Sequence, residues 1–271
     1  MQKTKLKGLT EVKAHRIATD DKGKSPVLET CGVAVEEPLT IDVMGVDSYT
    51  VLCTPDDKRA MAVGFLFSEG IIGSITDIAL LNECKDDPNV LRVQLADGIS
   101  GENLAGRNLL IVSSCGICGS ESMEEKLSAM PKVGNTFKIK STVLRKVSAA
   151  MRGRQVVFKE CGGTHAIGLF DATGQIISFA EDIGRHNALD KAIGKCILSG
   201  KNPEDLGAAM SGRVSLEMVG KCARAGIELI SAVSAPTSLA LKAADNCDIT
   251  VLAFVRDTRA TIFTRPKRVI Y

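Results

Sequence analysis

In the second half of the chain, apolar residues recur with the spacing of helices and, between those stretches, with the spacing of strands. The helix-like spacing predicts helices over 141–152, 187–199, 215–225 and 237–246. The strand-like runs predict strands over 155–158, 206–210, 227–233 and 248–255. Two further runs, 164–170 and 175–180, flank the turn-forming residues 171–174 and predict a hairpin. This alternation predicts a mostly parallel sheet with an antiparallel hairpin at one side.

The first half of the chain is less regular. Residues 33–43 alternate as a strand does, but Pro38 interrupts them, so two strand segments that meet at this proline are predicted. Residues 54–57 combine a capping hydroxyl, a proline at the first helical position and two acids. They predict the start of a helix that ends at Gly70 or Gly73.

A pair of cysteines lies between a predicted strand and a predicted helix. The strand is expected over 109–112, and it leads into the serine- and glycine-rich residues 113–120, which contain Cys115 and Cys118. Residues 122–125 have the spacing of a capping box and predict that a helix follows. The glycines around the two cysteines predict a mobile loop when no partner is bound.

The chain is expected to divide into a tail and two lobes. Residues 1–25 are rich in lysine, threonine and aspartate and lack a clear period, which indicates an N-terminal tail. An N-terminal lobe that carries the cysteine pair is expected over 26–140, and an α/β lobe over 141–271.

Composition and charge exclude several classes of function. The 271 residues are 45% hydrophobic, which provides ample material for a core. Lysine and arginine total 34 against 32 acids, and a net charge of +2 does not indicate nucleic acid or an anionic membrane as a partner. The sequence shows neither a secretory signal nor a membrane-spanning apolar run, so a cytoplasmic protein is expected.

Most of the nine cysteines occur singly in apolar segments. Cys196 and Cys222 fall on the apolar stripes of predicted helices, and Cys53, Cys84 and Cys247 lie at segment ends. Buried, inert thiols are the expected state of these residues.

The CxxC pair has three physical uses: metal ligation, dithiol exchange, or a nucleophilic thiolate with a neighbouring thiol. Zinc is not expected, because only Cys161 and His165 offer further ligands and no second CxxC exists. The N-terminus of the following helix would lower the pKa of Cys115 and so raise its thiolate fraction. The residues near the pair leave dithiol exchange and persulfide relay open as alternatives.

Residues 181–187 place acids, an arginine and a histidine at the end of a predicted strand. Such a cluster is typical of a ligand crevice, in which Arg185 would donate to phosphate. An equally plausible interpretation is an ion pair between Asp182 and Arg185, with His186 as a helix cap.

Two more arginines, Arg256 and Arg259, follow the last predicted strand. Together with Arg185 they favour a nucleotide crevice at the carboxyl ends of the strands over a solvated turn. The paired glycines of 161–165 indicate a close backbone approach or a tight turn, and residues 234–238 cap the next helix or bind phosphate. Neither of the standard glycine-rich nucleotide motifs is present.

These motifs, in this order, resemble the formate dehydrogenase accessory sulfurtransferase (FdhD) family over about residues 30–268. The motifs that carry the resemblance are Glu-Glu-Pro-Leu at 36–39, Gly-Phe-Leu-Phe-Ser-Glu-Gly-Ile-Ile at 64–72, Ser-Cys-Gly-Ile-Cys-Gly at 114–119, Gly-Thr-His at 163–165, Glu-Asp-Ile-Gly-Arg-His-Asn-Ala-Leu-Asp-Lys at 181–191, Ser-Gly-Arg at 211–213, Ser-Ala-Val-Ser-Ala-Pro at 231–236 and Phe-Val-Arg-Asp-Thr-Arg at 254–259.

The resemblance implies an α/β fold with a cytidine-deaminase-like mixed sheet, flanking helices and a smaller N-terminal lobe, in which 141–271 binds the cofactor. It implies a sulfurtransferase with a cysteine persulfide intermediate that acts as a homodimer. Such a protein takes sulfur from a cysteine desulfurase and passes it to the molybdenum bis-guanine-dinucleotide cofactor, which formate dehydrogenase requires.

The resemblance also implies roles for particular residues. Cys115 would carry the persulfide, and Cys118 would be its partner. The cofactor-binding segment would comprise Phe254, Val255, Arg256, Asp257, Thr258 and Arg259. His165, Arg185 and His186 are further candidates for this site, and guanosine diphosphate (GDP) is the expected mimic of the cofactor.

A deaminase function is excluded although the fold class resembles deaminases. Zinc deaminases need H-x-E and P-C-x-x-C motifs, whereas no histidine here has glutamate two residues on, and Ser114 precedes the CxxC. A cofactor-binding chaperone without covalent chemistry and a thioredoxin-like oxidoreductase remain the alternatives to sulfur transfer. The role of Cys161, beside the Gly-Gly-Thr-His motif, stays open.

Overall fold

The computed structural model describes residues 6–19, 25–99 and 123–271. The predicted strand 109–112, the predicted mobile loop 113–120 and both cysteines of the CxxC pair lie outside these residues. In chain order the strands are β1 (Leu9–Arg16), β2 (Val27–Ala34), β3 (Glu37–Val43), β4 (Asp47–Cys53), β5 (Ile78–Glu83), β6 (Val90–Leu95), β7 (Ile139–Lys140), β8 (His165–Phe170), β9 (Ile176–Asp182), β10 (Gly207–Met210), β11 (Leu229–Ala232), β12 (Thr250–Ala253), β13 (Thr261–Ile262) and β14 (Val269–Ile270). The helices are α1 (Lys58–Ser68), α2 (Met123–Ser128), α3 (Ser141–Arg154), α4 (Val156–Cys161), α5 (Arg185–Leu198), α6 (Leu216–Arg224) and α7 (Ser238–Asn246).

The larger sheet has the strand order β13-β12-β11-β10-β8-β9. Strands β10, β11 and β12 run parallel, whereas β8, β9 and β13 are antiparallel to their neighbours. The predicted α/β class with a mixed sheet and flanking helices is confirmed. The expectation of a mostly parallel sheet with antiparallel strands at one side is wrong, because the pairs β8–β10, β8–β9 and β12–β13 are antiparallel and only β10–β11 and β11–β12 are parallel among the described strands. With two residues, β13 is too short to show a strand pattern in the sequence.

Alternate residues of the larger sheet face two different cores, as the period of a strand requires. On β10, Ala208 and Met210 pack with α1, α5, α6 and α7, while Ala209 packs with α3. Strands β11 and β12 alternate in the same way. The sheet is therefore a middle layer between two sets of elements, and its two sides are called here the α5 face and the α3 face.

A second sheet, with the order β4-β3-β6-β5, is built from the first half of the chain. Two strand segments, β2 and β3, are present, but the prediction that they meet at Pro38 is wrong. Strand β2 ends at Ala34, and Pro38 lies inside β3. Leu39, Ile41 and Val43 of β3 belong to the same buried cluster as the α5 face. The two halves thus share one core, and the division at residues 140 and 141 stays a prediction.

A strand lies in the segment that was expected to be a tail. Strand β1 pairs antiparallel with β2, from Leu9 opposite Ala34 to Arg16 opposite Val27. The prediction for this stretch, a tail partly ordered by docking, did not include a strand. The sequence of β1 shows no alternation of apolar and polar residues, because most side chains on both faces of the strand are exposed. Pairing with β2, rather than burial, defines this strand.

Helix α4 replaces the strand that was predicted over 155–158. The backbone N–H groups of Val157 and Phe158 donate to the carboxylate of Glu181 at 3.1 and 3.0 Å, and this caps the helix. Gly162, in the left-handed conformation at φ 68°, ends it. The apolar run predicted a strand because no residue within it reveals the helix cap. The capping acid, Glu181, lies more than twenty residues away in the sequence.

Helix α1 begins later than residues 54–57 predicted. Asp57 precedes the first turn in a left-handed conformation at φ 59°. The hydroxyl of Thr54, instead of capping the helix, donates to the carboxylate of Asp182 at 2.9 Å. A tertiary contact has taken over the group that the local pattern assigned to the cap.

Among the described residues, no helix combines the length and the apolar character needed to cross a bilayer.

Two glycines allow α1 and α5 to approach each other closely. A Cβ on Gly64 would lie far inside van der Waals contact with the backbone oxygen of Asp190, and a Cβ on Gly194 would do the same to that of Ala60. Because the opposing atoms are backbone, a rotamer change cannot relieve the overlap. Both positions therefore require glycine.

Gly64→Ala and Gly194→Ala are each expected to lower the free energy of unfolding by about 1–3 kcal/mol or more, because the added methyl group overlaps helix backbone. Gly153→Ala is the matched control, since Gly153 lies in α3 and an added Cβ would meet nothing within 4 Å. This control is expected to leave stability unchanged or raise it by up to about 1 kcal/mol. Urea unfolding measured by circular dichroism tests all three, and equal stabilities would contradict the close contact.

Candidate functional site

The carboxyl ends of the parallel strands lie along one border of the larger sheet. This border runs across the strand ends and not along an outermost strand, and it is called here the edge. Strands β10, β11 and β12 end there, and the register places the start of β8 and the end of β9 beside them, with His165 opposite Asp182. The prediction that these strand ends share an edge is confirmed. Of the candidate side chains, His165, Arg185 and His186 lie toward the β9 end of this edge, and the 254–259 segment lies at the β12 end.

A buried ion pair fixes the start of α5 at this edge. The carboxylate of Asp182 lies 2.6 Å from the ammonium of Lys191, and both side chains are fully buried. Thr54 donates to Asp182, and the Thr54 hydroxyl and carbonyl both accept from Lys191. Asn187 and the backbone N–H of Gly184 supply the remaining donors to Asp182. Every polar atom of the pair is satisfied, which a buried pair needs in order to be tolerated.

The alternative interpretation of residues 181–187 is therefore wrong in both parts. Asp182 pairs with Lys191 and not with Arg185, and the residue that precedes α5 is Gly184 rather than His186. The spacing within residues 181–187 could not reveal Lys191 as the partner of Asp182. Lys191 lies outside that stretch, about two helical turns after Arg185 along α5.

His186 instead contacts an acid of α6. Its Nε2 lies 2.7 Å from the carboxylate of Glu217 and 3.5 Å from the hydroxyl of Ser215. The hydrogen bond from His186 lowers the pKa of Glu217. Sequence reasoning missed Glu217, because its only signal was an acid in the first turn of a predicted helix.

His165 lies among positive charges on the α5 face. Burial, and after it the charges of Arg185, Arg213 and His186, lower the pKa of His165 below its usual range. A Cβ on Gly212 would lie 3.2 Å from His165 Nδ1 and 3.6 Å from the Arg185 Cβ, so the Gly212 backbone passes close to both side chains. Arg213 was not among the predicted site residues, although it belongs to the Ser-Gly-Arg motif.

The 254–259 segment turns at the end of β12. Phe254 adopts a left-handed conformation at φ 54°, and its ring centroid lies 6.1 Å from that of Phe263. The guanidinium of Arg256 donates to the carbonyls of Val233 and Val255 at 2.7 and 2.9 Å. This guanidinium therefore ties the ends of β11 and β12 together.

The other polar residues of this segment have different surroundings. Asp257 forms an ion pair with Arg152 of α3 at 2.8 Å. Thr258 and Arg259 are exposed at the turn, and no described residue pairs with the Arg259 guanidinium. Arg259 is thus the arginine of this segment that is available to a ligand.

A cavity of about 530 Å³ lies beside this segment. Its lining includes Val255, Arg256, Asp257, Thr258 and Arg259, together with α3 residues such as Arg145. Because α3 covers this side, the cavity opens on the α3 face, whereas His165 and Arg185 lie on the α5 face. The three predicted arginines therefore share an edge of the sheet but do not form one cluster.

The remaining motifs have structural partners. The Thr237 hydroxyl accepts from the backbone N–H of Ala240 at 3.2 Å, so capping is the observed role of residues 234–238. The Thr164 hydroxyl donates to Glu181, the acid that caps α4. The thiol of Cys161 donates to the Val157 carbonyl and accepts from the Gly163 N–H.

The isolated cysteines are mostly inert, as predicted. Cys53, Cys196, Cys222 and Cys247 are buried, and Cys84 is partly exposed. Burial raises the pKa of Cys53 to about 11 and also raises the pKa values of Cys196, Cys222 and Cys247. These buried thiols are poor nucleophiles near neutral pH.

Within the part of the chain that the structure describes, no group of three or more histidine, cysteine or acidic residues is arranged to hold a metal ion. Cys115 and Cys118 lie outside that part, so the expectation of a zinc-free protein stays a prediction.

Comparisons with known proteins converge on one family. Residues 34–270 match the model of the FdhD/NarQ family. The sulfur carrier protein FdhD of Thermoplasma acidophilum is 39% identical over 247 residues, which cover 88% of this chain and 86% of that protein. The protein of the same name from Bordetella bronchiseptica is 36% identical over 254 residues, covering 90% of each chain.

A solved structure shows the same fold. A protein from Desulfotalea psychrophila, assigned as a formate dehydrogenase accessory protein, superposes with a TM-score of 0.75 and covers 97% of this chain and 99% of its own. At 22% identity this similarity concerns the fold alone.

The pKa of His165, followed by NMR of its imidazole, is expected to lie below the usual range of histidine. Arg185→Gln and Arg213→Gln should each raise it, because each removes a positive charge that opposes protonation of the ring. Arg92→Gln, an exposed change on β6 of the other sheet, should leave it unchanged. A pKa that neither of the first two variants moves would show that these charges do not act on the ring.

Proposed function

The chain belongs to the FdhD/NarQ family, and on that basis we propose that it is a sulfurtransferase that delivers sulfur to the molybdenum cofactor of formate dehydrogenase. The observation that carries this proposal is the 39% identity, along 88% of the chain, with a sulfur carrier protein. The Cys115–Cys118 pair lies within the matched residues 34–270.

The chemistry proposed for Cys115 is a persulfide relay. The Cys115 thiolate attacks the outer sulfur of a persulfide on a cysteine desulfurase, a new S–S bond forms, and the desulfurase thiolate leaves. The Cys118 thiolate then attacks the inner sulfur of the Cys115 persulfide. A Cys115–Cys118 disulfide forms, the outer sulfur leaves as sulfide at the molybdenum centre, and an external thiol reduces the disulfide.

The proposed substrate is the molybdenum bis-guanine-dinucleotide cofactor, whose phosphates need fixed donors. With a net charge of +2, the chain has no general field to attract so large an anion. The cavity beside residues 254–259 presents Arg259, which has no partner among the described residues, next to the polar side chain of Thr258. A guanidinium in this position is suited to donate two parallel hydrogen bonds to phosphate. GDP should therefore bind in this cavity as a mimic of one nucleotide arm.

The proposal also includes partners. A cysteine desulfurase donates the sulfur, and formate dehydrogenase receives the sulfurated cofactor. A homodimer would offer two equivalent cavities for the two nucleotide arms of the cofactor.

Incubation with a cysteine desulfurase and cysteine is expected to add one sulfur atom to Cys115, which mass spectrometry of the peptide detects. The added sulfur should be absent in Cys115→Ala. It should persist longer in Cys118→Ala, because the thiol that releases it is missing. Cys84→Ala, which removes a partly exposed thiol elsewhere, is the control and should behave as the wild type.

The same measurement separates the alternative functions. An unmodified Cys115 in the wild-type protein would favour a chaperone that shelters the cofactor without covalent chemistry. A Cys115–Cys118 disulfide that forms without any gain of sulfur would favour thioredoxin-like exchange.

Arg259→Ala is expected to weaken the binding of GDP at least ten-fold in calorimetry, because a hydrogen bond to a charged group contributes about 1.5–3 kcal/mol. Arg256→Ala should also weaken it, since the Arg256 guanidinium holds the turn against Val233. Arg92→Ala is the charge-matched control. Undiminished affinity in both Arg256→Ala and Arg259→Ala would refute this assignment and would leave the cysteine chemistry untouched.

A further inference from the structure

Two arginines on the α5 face form no ion pair with the residues that the structure describes, although, after the hydrogen bond from His186, the charge of Arg185 also helps to lower the pKa of Glu217. The nearby acids are already occupied, because Asp182 is paired with Lys191 and Glu217 with His186. Neither Arg185 nor Arg213 forms an ion pair with any residue in the described ranges. The carboxyl end of β10 is therefore locally positive in a chain that is nearly neutral overall.

Arg185 has an unsatisfied donor at this place. Its Nε is buried and has no hydrogen-bond partner among the described residues. A buried donor without a partner costs about 1–3 kcal/mol, so proteins rarely leave one unless another molecule satisfies it. An anionic ligand that accepts a hydrogen bond from this N–H would provide the partner that the described residues do not.

The backbone at Gly212 brings His165 and Arg185 close together. Gly212 is buried between His165 and Arg185, and even a methyl group here would lie 3.2 Å from His165 Nδ1. His165 itself is half-buried, and this burial, with the positive charges around the ring, lowers its pKa. The lowered pKa favours the neutral ring, which provides one N–H donor.

We propose that the carboxyl end of β10 is an oxyanion-binding subsite, in which Arg185, Arg213 and His165 donate hydrogen bonds to a phosphate-type group beside Gly212. The fork of a guanidinium matches two oxygens of a tetrahedral oxyanion, and two guanidiniums balance a dianion. The ligand is either a free oxyanion or a phosphate group of a nucleotide, since both present the same oxygens.

This subsite is separate from the cavity beside residues 254–259. It lies on the α5 face, whereas that cavity is lined by α3 residues. The two places are also two strands apart along the edge, from β10 to β12, or about 10 Å at the usual spacing between strands. A ligand with more than one phosphate group could therefore contact both faces of the same edge.

The experiment follows His165 by NMR during titration with inorganic phosphate and, separately, with GDP. Bound anion should raise the pKa of His165, because it offsets the charges of Arg185, Arg213 and His186, which face the ring together with the already paired Asp182. His15, on β1, serves as an internal reference and should not respond. Arg185→Gln and Arg213→Gln should each weaken the response to phosphate about ten-fold, the effect of losing one charged hydrogen bond.

Two further variants complete the design. Gly212→Ala changes no charge but places a methyl group 3.2 Å from His165 Nδ1, so it should displace the ring and also weaken the response. Arg259→Ala removes the arginine of the other cavity and should leave the response of His165 to inorganic phosphate intact. The proposed function is tested by other measurements, namely GDP binding in Arg259→Ala and the gain of sulfur on Cys115. The two proposals can therefore fail independently.

A response to inorganic phosphate shows that a free oxyanion suffices, and a response to GDP alone assigns the subsite to a nucleotide phosphate. Both results support the subsite if Arg213→Gln, an exposed change that should not disturb the fold, diminishes them. A His165 that responds to neither ligand, or that responds in Arg185→Gln and Arg213→Gln as strongly as in the wild type, would overturn the proposal.

Discussion

The close contact between α1 and α5, at Gly64 and Gly194, is the constraint on which the rest of the structure depends. It brings helix backbone against helix backbone, with no side chain between them at these two positions. Helix α1 belongs to the first half of the chain and α5 to the second, and the contact makes their apolar residues parts of one core. Any side chain larger than hydrogen at either glycine would push the two halves apart.

The same helix, α5, also carries the charges that lock this arrangement. Lys191 reaches Asp182 and Thr54, and Asp190 pairs with Lys221 of α6, which also contacts Glu69 after α1. Loss of one partner of a buried pair costs about 3–5 kcal/mol, because a charge is left without compensation. The pairs therefore hold α5 in one position. Since Arg185 and His186 form its first turn, that position also places them at the sheet edge.

The edge presents its positive groups on two faces, and this changes how a large anion could bind. A single cluster of arginines would suit one phosphate, whereas separate groups on the α5 and α3 faces suit a ligand with phosphates at different places. The division also gives the arginines different tasks. Arg256 holds the turn through two carbonyls, while Arg185 and Arg259 have donors free of any described partner.

The sequence by itself determined the elements whose signals are local. The hairpin of β8 and β9 and the alternation from β10 to β12 follow from periodicity and turn residues within short windows. The residue types identify the CxxC pair but leave dithiol exchange and persulfide relay open. The shared edge of the strand ends could be predicted too, because parallel strands must end on the same side. Only the tertiary structure decided which polar groups meet. Glu181 caps α4 across more than twenty residues. Lys191 rather than Arg185 pairs with Asp182, and the sheet separates the Arg259 cavity on the α3 face from His165 on the α5 face. These contacts join residues that are distant in the chain, and their energies depend on burial and geometry that no local pattern encodes.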